Sequence, residues 1–148
     1  MAAAGAGGAT YVDDVFSTYL HVGTGSAKTI NNGIDLAGEG GLIWGKSRSH
    51  SHWNILTDTE RGANKAIYSD RDAAEHTYSL NNTITSFNSN GFSVGSDPSG
   101  SFNYAESGGN KLASWTFRKA KGFFDIVKYT PSGGTNTISH NLGCVPGM

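Results

Sequence analysis

Leu112-Ala-Ser-Trp-Thr-Phe-Arg118 alternates along its length, and that alternation decides the fold. Trp115 and Phe117 fall on one side of an extended chain, and Thr116 and Arg118 on the other. A period of two is the mark of a β-strand. The same reading extends outward. Leu42, Trp44 and Lys46 oppose Ile43 and Gly45. Further on, Phe124, Ile126 and Lys128 share one face while Asp125, Val127 and Tyr129 share the other, so that strand is expected to be partly buried on both sides.

Continued along the chain, the pattern predicts strands over Phe16–Val22, Lys28–Asn31, Gly41–Lys46, Trp53–Thr57, Lys65–Ser69, His76–Leu80, Thr83–Phe87, Gly91–Val94, Lys111–Arg118, Phe123–Tyr129 and Asn136–Ser139. Turn residues separate several of them: Gly23–Ser26, Asn32-Gly33, Asn90-Gly91, Pro98–Gly100, Ser107–Asn110 and Pro131–Gly134. Helix signals are scarce, and only Asp70–His76 is expected to form a turn or two of helix. Short strands at this spacing predict an all-β fold, a two-sheet antiparallel β-sandwich of jelly-roll or lectin-like type.

Composition supports this class and excludes others. A chain of 148 residues suits one domain with a true core. Charged residues make up 16%, below the usual share of about 25%, and the 21 glycines are about double the usual frequency. A net charge of −1 offers no basic face for neutralising phosphates, so nucleic acid is not an expected partner. No stretch reaches the roughly 18 apolar residues needed to span a membrane, and none is expected as a partner. The N-terminus lacks the basic and apolar regions of a secretory signal, and residues 1–10 read as a flexible Ala/Gly arm. Cys144 is the single cysteine, which rules out an intrachain disulfide; it is expected to be a small buried hydrophobe.

Two segments share one plan. Phe16 and Phe124, Gly25 and Gly133, Thr29 and Thr137, and Ile30 and Ile138 coincide without a gap at an offset of 108 residues, with Leu142 opposite Ile34. Each copy reads as an apolar strand, a Gly-rich turn, a Thr-Ile strand and a polar approach. In the first copy the approach leads to Gly41–Lys46, and in the second no counterpart of that strand follows. The expectation is a sandwich over residues 11–122 and a truncated second β-module over 123–148. A partial repeat cannot bury its apolar face alone, so its strands would pack on the first module, pair with a neighbour or stay exposed. Phe124, Ile126, Val127, Tyr129, Ile138, Leu142 and Val145 are the expected subunit-interface residues.

The words YVDDVFSTYL, GTGSAKTINNGIDLAGEGGLIWGKSRS, TDTERGANK, ITSFNSNGFSVGSD, ASWTFRKAKGFFDIVKYT and NTISHNLGCVPGM carry a resemblance over Tyr11–Met148. The chain resembles virion structural, tail-fibre-like proteins of tailed phages, marine and cyanobacterial ones especially. That resemblance implies a virion or extracellular location, a structural role without enzymatic activity, and partners among other virion proteins.

Sites are sparse. Asp58-Thr-Glu-Arg-Gly62 reads as a turn in which Asp58 accepts backbone hydrogen bonds and Arg61 pairs locally. Asp70, Asp72 and Glu75 lack the spacing of a calcium loop. His50 and His52 would lie on one face of a strand, but two ligands do not make a metal site and a solvated loop is expected. No GxSxG elbow and no opposed pair of strand carboxylates is present, so neither an enzyme nor a cofactor is expected. Trp44, Trp53 and Tyr68, together with Tyr78 and Tyr104, are candidates for stacking on host surface polysaccharide. Asn81-Asn82-Thr83 is a formal glycosylation sequon. The first expectation is a subunit that self-assembles by β-strand and arm exchange into an appendage or fibre, and the alternative is a module that binds host glycans.

Overall fold

The computed structural model describes residues 10–79, 82–97, 102–107 and 109–147. The Ala/Gly arm before Thr10, the Pro98–Gly100 turn, Leu80 and the first sequon residue, Asn81, lie outside the described residues.

The elements in chain order are α1 (Val12–Val15), β1 (Phe16–Val22), β2 (Lys28–Asn31), β3 (Gly41–Ser47), β4 (Ile55–Asp58), β5 (Lys65–Tyr68), β6 (His76–Thr77), β7 (Ile84–Asn88), β8 (Gly91–Val94) and β9 (Lys111–Arg118). They build two antiparallel sheets, one of six strands ordered β1-β9-β3-β4-β5-β6 and one of three ordered β2-β8-β7. The molecule is an all-β sandwich.

β9 lies second from one edge of the large sheet, between β1 and β3. It pairs with β1 along one edge, from Phe16 opposite Phe117 to Val22 opposite Lys111, and with β3 along the other, from Gly41 opposite Arg118 to Ser47 opposite Leu112. The alternation seen in its sequence separates two faces. Leu112, Ser114 and Thr116 are buried toward the small sheet, while Trp115 and Phe117 are half-buried on the outer face. Register lines up Thr18, Trp115, Trp44, Leu56 and Ile67 across five strands of that outer face. Trp44 and Trp115 meet there with ring centroids 5.7 Å apart.

Between the sheets, Ile30, Phe92, Val94 and Ile84 from the small sheet pack against Ile43, Ile55 and Leu112 from the large one. Phe102 completes the core, and a glycine makes room for it. A Cβ on Gly45 would stand 2.2 Å from the Phe102 ring, so a glycine in mid-strand is required by that packing. At Gly91 the requirement is double: its φ is 128°, and a Cβ there would stand 2.1 Å from the Ile30 carbonyl oxygen. Asn103 secures the loop behind Phe102. Its amide donates to the carbonyls of Ser26 (2.7 Å) and Gly95 (2.8 Å) and accepts from the Thr24 amide (3.2 Å). Those bonds are what allow a fully buried amide in the core.

Three local expectations are corrected. Residues 70–75 form an irregular loop that opens with a bend at Asp70 and Arg71 rather than a helix, with the Asp70 carboxylate accepting the Asn54 amide at 3.0 Å. A single helical turn forms instead at Val12–Val15, where Asp14 accepts the Tyr11 amide (3.0 Å) as a short acidic side chain does at a helix start. The expected strands Phe123–Tyr129 and Asn136–Ser139 do not form; an isolated bridge between Ala120 and Phe124 is all the pairing this region makes. The reason is topological, because β1 and β3 already hold both edges of β9, the strand that leads into it.

Candidate functional site

Two features of the surface could act on another molecule. One is an aromatic cleft; the other is an arm.

The cleft has a volume of about 590 Å³ and lies where the loop before β4 meets the loops around β6. The two loops are tied together at their roots: the Asn54 amide donates to Asp70, and the Ser69 amide donates to the Asn54 carbonyl at 3.3 Å. Lys46 holds the first loop from the sheet side, its Nζ donating to the His52 carbonyl at 2.9 Å. On this frame Trp53 packs edge-on against Tyr68, with centroids 5.5 Å apart. The Tyr68 hydroxyl lies 2.8 Å from that of Tyr78, and the His76 ring stands edge-on to Tyr78 at 4.5 Å. The Arg71 guanidinium lies over Trp53, 3.9 Å from its centroid, and 5.0 Å from that of Tyr68. Ser51, Ser79 and Asn82 add polar groups to the lining.

Of the five aromatic residues considered for glycan stacking, the fold brings Trp53, Tyr68 and Tyr78 together in this cleft, and Tyr104 is not in its lining. Trp44 is not with them; it faces Trp115 on the outer sheet face. Arg71 went unseen in the sequence, because its partner Trp53 is 18 positions away and no local pattern links them.

His50 and His52 are on a loop, as expected, and their rings turn to a common partner. Glu106 Oε2 lies 3.2 Å from His50 Nδ1 and 2.9 Å from His52 Nε2. Among the described residues, no group of three or more His, Cys, Asp or Glu is placed to hold a metal ion. Glu75 pairs instead with Arg61 and Lys65, each at 3.6 Å. The Asp58 turn forms as its sequence predicts: its buried carboxylate accepts the amides of Glu60 (3.0 Å) and Arg61 (2.9 Å) and the Arg61 guanidinium.

The arm begins where β9 ends. Phe124 packs on Phe117 with centroids 5.3 Å apart, and the Gly122 amide donates to the Leu142 carbonyl at 2.8 Å. Asp125 clamps the base, accepting the amides of Asn141 (2.7 Å) and Ile126 (2.9 Å). The Asn141 amide first, then the Ile126 amide and nearby Lys119, hold the Asp125 carboxyl below the usual carboxylate range. Lys119 is pushed up in turn, chiefly by its 2.8 Å bond to Glu60.

Beyond this base the chain projects outward. Among the described residues, no backbone–backbone hydrogen bond involves residues 126–140. Val127, Tyr129 and Ile138 are exposed there, and Val145 is 89% exposed beyond the base. Phe124, Ile126 and Leu142 are half-buried at the root. The seven expected interface residues are thus divided between an anchored root and apolar side chains facing solvent. Cys144 is exposed, which corrects the buried position expected for it; the arm offers no core to receive it.

No helix among the described residues is long and apolar enough to cross a membrane. No curated protein and no solved structure matches the chain. One protein family does: the domain of unknown function DUF7483 matches residues 12–148, a span that takes in both the sandwich and the arm. The chain belongs to the DUF7483 family.

Proposed function

We propose that this protein is a non-enzymatic structural subunit that assembles with copies of itself, residues 126–140 adding to a neighbour's sheet. The observation that carries this reading is a segment with an unpaired backbone and exposed Val127, Tyr129 and Ile138 on an anchored base. Such a segment gains main-chain hydrogen bonds and buries alternate side chains when it meets a sheet edge. β1 supplies an edge of suitable length, seven residues paired on one side only, with Leu20 and Val22 exposed along it. A contact from arm to edge joins unlike surfaces and therefore builds rings or open filaments. The setting, a virion appendage or extracellular fibre, rests on the sequence resemblance.

The test replaces residues 126–140 by a short Gly-Ser linker between Asp125 and Asn141. Analytical ultracentrifugation and negative-stain electron microscopy should find wild-type assemblies and a folded, monomeric variant. A variant that assembles as well as the wild type would refute the arm's role.

A second reading, a module that binds host glycan, is favoured by the cleft, where Trp53 and Tyr68 offer aromatic surface beside polar side chains.

A further inference from the structure

The lining of the cleft is one-sided in charge. It includes Arg71, His52 and His76 and no Asp or Glu. Asp72 follows Arg71 in the chain but is not part of the lining and makes no ion pair with Arg71 among the described residues; the other nearby acids are engaged elsewhere. Asp70 accepts the Asn54 amide, Glu106 sits behind His52, and Glu75 faces Arg61 and Lys65. Arg71 makes no ion pair among the described residues.

The way Arg71 is held matters more than its charge. The guanidinium carbon sits over the Trp53 ring at 3.9 Å, and the Tyr68 ring, at 72° to that of Trp53, closes a second side at 5.0 Å. Contact with aromatic faces uses none of its N–H donors and confines the guanidinium to the corner between the two rings. A planar fork with fixed donors is the partner of a carboxylate, which it binds through two parallel hydrogen bonds. Next to it, Trp53 remains 55% exposed, an apolar surface for the C–H face of a sugar ring. Ser51, Ser79 and Asn82 provide donors and acceptors for ring hydroxyls.

We propose that this cleft binds a carboxylated saccharide of the uronic acid type, Arg71 taking the carboxylate and Trp53 the sugar ring. The proposal rests on the glycan reading of the cleft and adds the class of sugar to it.

Isothermal titration calorimetry of the full chain with a galacturonate tetramer, and with a galactose tetramer of the same linkage, tests it. The acidic sugar should bind at least about tenfold more tightly, the worth of a charge-assisted bidentate contact. Arg71→Gln should abolish the preference. Arg71→Lys, which keeps the charge and loses the fork, should lose most of it. Arg71 is exposed, so the variants should melt like the wild type. If both tetramers bind equally, carboxylate recognition falls while the glycan reading stands. If neither binds, both fall. A preference that survives Arg71→Gln, or dextran sulfate binding that matches galacturonate in wild type and variant alike, would replace the site with diffuse charge attraction and overturn the proposal.

Discussion

Phe16–Asn31 and Phe124–Ser139 share one plan, with four identical residues at a constant offset, and end in different structures. In the first, two strands form, β1 against β9 and β2 against β8. In the second, no strand forms. What they share is the turn. Gly25 and its counterpart Gly133 both take left-handed backbone, at φ 69° and 78°. Local chemistry therefore reproduces the turn in both places, because a Gly-rich turn depends only on its own residues. Strands depend on partners. The first segment finds β9 and β8 waiting; the second follows β9, whose two sides are already taken by β1 and β3. β-propensity records a fit to a pleated, half-buried surface, and without that surface the same pattern stays extended and wet.

Matched substitutions in the two segments measure this contrast directly. Ile30 is 3% exposed in the core and Ile138 is 39% exposed on the arm. Ile30→Ala should lower unfolding free energy by about 3 to 4 kcal/mol through lost burial and a cavity. Ile138→Ala should cost less than about 0.5 kcal/mol. Urea titrations of the two variants decide it, and equal losses would mean that the arm is part of the core.

A second pair is His21 and its counterpart Tyr129. His21 is packed between Tyr19 and Phe102, with ring centroids 6.3 and 5.4 Å away, and neither ring nitrogen has a partner. Burial first, and the charge of Lys28 second, lower its pKa from 6.5 to about 4. Between those values the unfolded chain holds a proton that the folded chain refuses, so stability is full above pH 6.5 and falls as the pH drops toward about 4. The loss at the acid end is at most about 3 kcal/mol. Asp125, with its lowered pKa, adds a loss of the same sign at lower pH. His21→Phe should flatten the denaturation profile between pH 6.5 and 4, whereas Tyr129→Phe should leave it unchanged; an unaltered slope in His21→Phe would assign the effect elsewhere.

The shared turn yields a smaller difference. A Cβ at Gly25 would stand 3.1 Å from that of Ala105, while at Gly133 nothing lies within 4 Å. Gly25→Ala should cost about 2 kcal/mol, from left-handed strain plus contact. Gly133→Ala carries the strain without the contact, and in an arm that the sandwich does not need it should shift the melting temperature by less than about 2 °C. Smallest in stability is the double variant Val127→Ser, Tyr129→Ser. It should melt like the wild type and sediment as smaller species, and unaltered sedimentation would remove these side chains from the interface.

The same division explains what could be read in advance. β1, β2, β8 and β9 were legible to the residue, because each is a short apolar run with a turn signal on at least one side. The Asp58 turn was legible because all its bonds are local. Pairing was not. Nothing near Phe124 records that β9 is already flanked by β1 and β3, so the arm reads as strand. Long-range contacts were equally hidden: Arg71 on Trp53, Glu106 between two histidines, and Phe102 on Gly45 each join residues far apart in sequence. The aromatic part of the candidate cleft, Trp53, Tyr68 and Tyr78, was visible in the sequence, but the guanidinium that gives it chemical character was not.

The most direct test of the account is amide hydrogen exchange by mass spectrometry, at a dilution that keeps the chain monomeric and at a concentration where it assembles. In the dilute sample, the peptides covering β1 and β2 should be protected and residues 126–140 should exchange at the rate of an unpaired backbone. On assembly, residues 126–140 should gain protection, because they would pair with the open β1 edge of a second copy. Fast exchange of residues 126–140 at both concentrations, or protection already present in the monomer, would contradict the claim that this segment finds its strand partner in a neighbour.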